Sequence, residues 1–228
     1  KKGVGIESNI RYLKPERQTL GSIYSIGLPA IVMQILTPIM SYTLNLILGA
    51  ISVSAVTAYG VYYKLQNFIF MPGYGLNNAS IPIISYNFGA RNKQRVSQTV
   101  RYGLIYVSVI MLIGIALLQL FARQIVGIFS VTEESHQLCV LALRIITCGF
   151  FFAGANIILQ GVCQALGKGI YSLVISLLRF IVLVLPMAWA LSLTENAASL
   201  VWLSLPVAEA GACVAAILLT RKIYRKAL

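Results

Sequence analysis

The chain has 228 residues, of which 58% are hydrophobic and 11% charged, and its mean hydropathy is +0.83. Soluble domains carry about 25% charged residues, so a water-soluble fold is excluded and the chain is counted in membrane spans instead. Its net charge of +12 comes from 18 Lys and Arg set against six Glu and no Asp. A basic balance of this kind suits either nucleic acid or basic membrane loops, and the placement of the charges decides between them.

Residues 1–19 are polar and basic, which fits a cytoplasmic lead-in and not a secretory signal. The first residue is Lys1, as expected of a processed start or a piece of a longer chain. A helix needs about 20 apolar residues to cross a bilayer core. Gly21 to Tyr63 holds no Lys, Arg, Asp or Glu, which predicts a first span over 20–48 and the start of a second over 53–86. Further spans are predicted over 102–122, 140–166, 169–193 and 196–220, followed by a basic tail over 221–228. The segment from Ala122 to His136 reads as a short amphipathic piece and a turn, with His136 as an exposed loop residue. The expected fold is therefore an all-α integral membrane bundle of six transmembrane helices.

The basic residues fall mostly on one side of these spans. Lys1, Lys2, Arg11, Lys14 and Arg17 precede the first span, and Arg91, Lys93, Arg95 and Arg101 follow the second. Lys168 follows the fourth, and Arg221, Lys222, Arg225 and Lys226 follow the sixth. That side is expected to be cytoplasmic, with both termini on it. Basic loops facing anionic lipid explain the charge without nucleic acid.

Polar side chains inside a membrane are costly, so their spacing carries the functional signal. On the first span Gln34, Thr37, Pro38, Ser41 and Asn45 recur every three or four residues and share one face. Pro29 and Pro38 interrupt its hydrogen-bond ladder and permit bends. The second span would be about 50 Å long at 1.5 Å per residue, more than the ~30 Å core. It carries Pro72, Gly73 and Pro82 as candidate hinges, and a stripe of Lys64, Asn67, Met71, Tyr74 and Asn78. The fourth span offers Asn156, Gln160 and Gln164, and the fifth Ser172, Ser176 and Arg179; Glu209 lies in the sixth. Ser, Asn and Gln on membrane helices often serve only to bond neighbouring helices. Lys64, Arg179 and Glu209 are dearer to bury and imply pairing or function. Arg179 has the alternative of snorkelling to the interface, and a Lys64–Glu209 pair is one hypothesis.

Cys139, Cys148, Cys163 and Cys213 lie in apolar stretches with no CxxC, so they read as small hydrophobes and not as a disulfide or zinc framework. There is no P-loop, HExxH, Gly-x-Ser-x-Gly or dinucleotide fingerprint. With no Asp and a single loop His, most general acid–base and metal constellations cannot be assembled, so an enzyme is not expected.

The stretch Pro82-Ile-Ile-Ser-Tyr-Asn-Phe-Gly-Ala-Arg-Asn92 resembles the Asn-x-Gly-Ala-x-Asn at the cytoplasmic end of the second and eighth helices in the multidrug and toxic compound extrusion (MATE) transporters. Gly27-Leu-Pro29 leading to Gln34, Gln160 to Gly167, Leu178-Arg179 followed by Pro186, and Trp202 to Glu209 are similar in order and spacing. The resemblance implies one six-helix lobe, the C-terminal one, of a twelve-helix transporter, with residues 1–19 as the interlobe linker. It implies a plasma (inner) membrane antiporter that exports organic, often cationic, molecules by alternating access in exchange for H⁺ or Na⁺. Gln34, Ser41, Asn45, Lys64, Asn67, Met71, Asn156 and Gln160 would line its cavity. No cofactor is implied. One branch of the family has Glu where this chain has Gln34, and an Asp in the tenth helix. The coupling carboxylate is therefore expected in the other lobe, on the same chain or on a dimer mate. The alternatives are a lipid-linked saccharide flippase, which should have a more cationic interior, and a non-transporting membrane scaffold or partner subunit.

Overall fold

In the computed structural model residues 17–227 are described. Most of the expected lead-in lies outside the described residues, as does Leu228. Helices α1 (Arg17–Ile51), α2 (Val53–Gly89) and α3 (Lys93–Leu120) are followed by the short α4 (Ala122–Gly127). Helices α5 (Glu133–Thr147) and α6 (Phe150–Ala165) form a bent pair, with 49° between them. Then come α7 (Gly169–Leu177), a π-helical segment (Leu178–Val184) and α8 (Leu185–Ser192), stacked end to end. The short α9 (Ala197–Leu200) and a 3-10 turn lead into α10 (Ser204–Ala227). Among the described residues there is no strand.

Among the described residues four helical stretches are long and apolar enough to cross a membrane: Gly27–Ile51, Lys93–Leu120, Gly169–Ser192 and Ala197–Tyr224. The bent α5–α6 pair is a fifth candidate. Helix α2 has 37 residues, about 55 Å at the helical rise, and is not in this set. Its Lys64, Gln66, Asn67, Asn77 and Asn78 dilute an otherwise apolar sequence. It packs against α3, α5 and α6, and it leaves Lys64, Asn67, Phe68, Met71 and Tyr74 exposed.

Helix ends are set by local chemistry. Ser52 caps α2, its hydroxyl accepting the Ala55 N–H at 3.0 Å. Thr132 caps α5, where Glu133 and Glu134 occupy the first turn and Arg144 the last, each sign favoured by the helix dipole. His136 therefore lies within α5 and not in a loop; it is half-buried, with Nε2 3.1 Å from the Arg123 carbonyl. The Asn87–Asn92 stretch is a turn with a mechanism. Asn92 N–H donates to the Asn87 carbonyl at 2.9 Å and Arg91 N–H to that of Phe88 at 3.0 Å, closing α2. Asn92 then caps α3, its side chain accepting the Arg95 N–H at 3.1 Å. Arg91 takes φ 55°. The same closure ends α6: Lys168 N–H reaches the Cys163 carbonyl and Gly167 N–H that of Gln164, both at 2.9 Å, with Gly167 at φ 70°.

Helix α1 runs unbroken through Pro29 and Pro38, and α2 through Pro72, Gly73 and Pro82. Gly73 is buried against α3, where a β-carbon would come within 3.0 Å of Met111 Cε. A break between helices lies at Cys148–Gly149. There the backbone N–H groups bond three residues back, to Ile145 and Ile146. Gln119 on α3 supports the loosened turn, donating to the Arg144 carbonyl at 2.8 Å and to the Thr147 hydroxyl at 2.9 Å.

Because Gly167 holds a left-handed turn that a β-carbon disfavours by about 1–2 kcal/mol, Gly167→Ala should lower stability by about that amount. Arg91→Gly should raise it for the same reason, by less than that amount, because glycine also loses more chain entropy on folding. Thermal melting of the purified variants in one detergent checks both signs.

Candidate functional site

A cavity of about 410 Å³ opens between α1, α2, α6 and the π segment. Its wall is rich in amides: Gln34 from α1, Asn77 and Asn78 from α2, and Gln160 and Gln164 from α6. A smaller recess of about 50 Å³ continues from it, lined by Tyr59, Tyr62, Tyr63, Asn67 and the acid Glu209. Thr37, Tyr74, Arg179 and Phe180 line both.

An ion pair closes the recess. Arg179 Nη2 lies 2.5 Å from Glu209 Oε1, and the two side chains are 10% and 13% exposed. Asn156 is fully buried behind them; its Nδ2 donates to Glu209 Oε2 at 3.0 Å and to the Glu209 carbonyl at 3.1 Å. The Arg179 guanidinium also stacks over the Phe180 ring, 4.5 Å from its centroid. Lys64 is thus not the partner of Glu209. It is exposed and sits 5.8 Å over the Phe129 ring instead. Nor does Arg179 snorkel, because it is held inward by its carboxylate.

The placement of Arg179 has a local cause. Pro186 has no N–H, and its ring crowds the carbonyl four residues earlier. The chain responds by widening the turn before it. Leu185 N–H donates to the Phe180 carbonyl, five residues back. Such π insertions bulge one side chain out of register, and Arg179 lies at the start of this one.

Close helix approach shapes the opposite wall. A β-carbon on Gly161 of α6 would collide with the Asn77 side chain of α2, so glycine lets Asn77 reach across α6. Asn77 Oδ1 is buried without a hydrogen-bond partner, as are Asn156 Oδ1 and Arg179 Nε. Gln160 is fixed by α7: Ser176 Oγ donates to its Oε1 at 2.9 Å, and Ser172 Oγ to its backbone carbonyl at 2.8 Å.

Of the residues expected to line a cavity, Gln34, Asn67 and Gln160 do so. Asn156 stands behind the wall and holds Glu209. Ser41 and Asn45 continue the α1 stripe beyond the cavity, with Asn45 Nδ2 donating to the Ser41 carbonyl at 2.9 Å. Met71 is 68% exposed on α2, and Lys64 points to Phe129. Tyr59, Tyr62 and Tyr63 also line the recess, although they are not among the residues named for the cavity from the sequence. Tyr59 and Tyr63 are four residues apart, the signal that puts both on one helix face.

The MatE family model matches residues 29–190, about seven-tenths of the chain. The chain belongs to the MatE family. Multidrug export protein MepA from Staphylococcus aureus (strain NCTC 8325 / PS 47) is 26% identical over 214 residues, which cover 94% of this chain and 47% of MepA. The Staphylococcus haemolyticus (strain JCSC1435) MepA is 25% identical over 209 residues, 92% of this chain and 46% of that protein. Among solved structures, an outward-facing multidrug resistance MATE family transporter superposes with a TM-score of 0.89 at 21% identity, covering 96% of this chain and 49% of that one. The inward-facing form gives 0.82 at 20% identity, covering 96% and 51%. The chain thus has the fold of one MATE lobe and spans about half the length of its relatives. Members of the family are membrane transporters, not enzymes.

Removing one member of a buried ion pair costs about 3–5 kcal/mol, whereas replacing both with apolar groups is close to neutral. Arg179→Met and Glu209→Met should each lower stability by about that much, and the double variant should recover most of it. Chemical denaturation in detergent micelles reads the difference. A double-variant loss equal to the sum of the two single losses would show that the two side chains are uncoupled.

Proposed function

We propose that this chain is the C-terminal lobe of a cation-coupled multidrug exporter that works by alternating access in the plasma membrane, with both termini cytoplasmic. The observation that carries this reading is the polar cavity itself. An amide-lined hollow with unpartnered buried polar atoms is costly to maintain in a membrane bundle, and a polar ligand that hydrogen-bonds to it offsets the cost. Members of this family are transporters, and the relatives named MepA are multidrug export proteins. The substrates would be small organic cations, and tyrosine faces would meet their apolar or cationic parts. No cofactor is needed. The coupling ion, H⁺ or Na⁺, would bind a carboxylate of the other lobe, because the one acid in this lobe's cavity wall is already neutralised by Arg179. Relatives twice the length of this chain fit a second lobe completing the cavity.

A saccharide flippase would want an unpaired cationic interior for a pyrophosphate. Lys64 lies outside the cavity and Arg179 is paired, so that alternative loses its support. Export of a cationic dye by the complete transporter tests the site. Replacing Gln34, Asn67 and Gln160 together by Ala removes three polar groups worth about 1 kcal/mol each, and should weaken apparent dye affinity about tenfold or more. Lys64→Gln should change it less than about twofold. Unaltered export by the triple variant would remove these residues from the substrate path.

A further inference from the structure

A second hollow lies on the far side of α6 from the substrate cavity. It has a volume of about 480 Å³ and runs between α3, α6 and α10. Ile157, Gln160 and Gln164 face the substrate cavity, whereas Leu159 faces this groove. At 100° per residue Leu159 projects from nearly the opposite side of the helix. The two sites therefore share a wall and no opening.

The groove is amphiphilic along its length. Leu104, Leu159 and Ile217 make an apolar throat, and Thr220, Arg221 and Tyr224 stand at one end. That end is fastened: the Tyr224 hydroxyl donates to the Lys93 carbonyl at 3.4 Å, joining the end of α10 to the start of α3. The Thr220 hydroxyl is held 3.6 Å from the buried Cys163 thiol. Around the same end Lys93, Arg95, Arg101, Arg221 and Lys222 are all exposed. Acidic groups are elsewhere. Among the described residues Glu133 and Glu134 begin α5, Glu195 precedes α9, and Glu209 is committed to Arg179. The size is that of a small-molecule site, and its polarity matches an amphiphile with a negative head and a hydrocarbon tail. Basic pockets between membrane helices hold lipid headgroups by this combination.

We propose that this groove binds one anionic phospholipid, its phosphate at Arg221 and one acyl chain in the throat formed with Leu104, Leu159 and Ile217. The bound lipid bridges α3 and α10 at the end where the Tyr224 hydroxyl donates to the Lys93 carbonyl. It occupies a lipid-facing position and leaves the substrate cavity free.

The test uses the intact protein, delipidated in detergent and supplied with phosphatidylglycerol or phosphatidylcholine of equal chain length, with bound lipid counted by native mass spectrometry. The expected result is one retained phosphatidylglycerol in preference to phosphatidylcholine. Arg221→Gln should lower its occupancy about fivefold, the effect of one basic residue near an anionic headgroup. Ile217→Trp, which fills the throat without changing charge, should displace the lipid. Arg95→Gln, at the same end but outside the groove, should leave it bound. The two groove variants act independently, so one that misfolds leaves the other decisive, and melting curves identify it. Equal retention by all variants, or an equal loss in all three, would overturn the site in favour of bulk charge. Competition by glycerol phosphate as strong as by the lipid would overturn the acyl-chain assignment.

Discussion

A charge taken into a bilayer must find its counter-charge within the protein, and in this lobe Arg179 and Glu209 meet that demand for each other. The pair joins the π segment to α10, and Asn156 extends the joint to α6. Three of the bundle's elements therefore converge on one electrostatic point. The amide wall of the cavity is built around it, since Thr37, Tyr74 and Phe180 line both the recess at the ion pair and the larger hollow beside it. Inter-helix attraction in lipid comes from packing and polar contacts and not from apolar burial. A single well-paired charge cluster can thus set helix positions more firmly than in a soluble core.

Backbone chemistry makes that cluster possible. Pro186 forces a wider turn upstream of itself, and the widened turn contains Arg179. On α6 Gly161 allows Asn77 to cross and face the hollow. Ser172 and Ser176 of α7 hold Gln160 from behind. Each device is local and spends one hydrogen bond or one methyl group. Together they create a polar surface that faces inward while the outer faces of the same helices remain apolar.

Much of this was legible from residue spacing. The charge-free run of Gly21 to Tyr63, the basic turns and the polar stripes point to an all-helical membrane bundle with a polar interior, in which Gln34 and Gln160 line the larger hollow and Asn67 the recess beside it. What spacing could not supply was rotation and distance. The α1 stripe is real as a helix face, but only its Gln34–Thr37 part reaches the cavity; Ser41 and Asn45 lie further along the same helix. Lys64 and Glu209 were natural partners by charge, yet partner choice depends on the register of two distant helices. Arg179 won because the turn before Pro186 aims it. Prolines were visible, but whether a proline bends its helix or is absorbed by neighbours depends on packing that one helix's sequence does not contain. The break at Cys148–Gly149 carries no proline at all and is held by Gln119, 25 residues from its acceptor Arg144.

The neutrality of the cavity wall constrains what the lobe can do. Any cation entering the recess meets a carboxylate that already has a guanidinium 2.5 Å away and an amide donor behind it. To bind Glu209 it must displace Arg179, whose nearest compensation is then the Phe180 ring, a weaker partner than a carboxylate. That exchange is unfavourable for a weakly charged or bulky ligand, so the resting lobe offers hydrogen bonds and aromatic faces in place of charge. The broad substrate range proposed above would follow from the same property. Amide and tyrosine groups accept many geometries, whereas an exposed carboxylate would select for one charge. In the transporter proposed above, the mobile charge that drives the cycle would be more economically supplied by the other lobe.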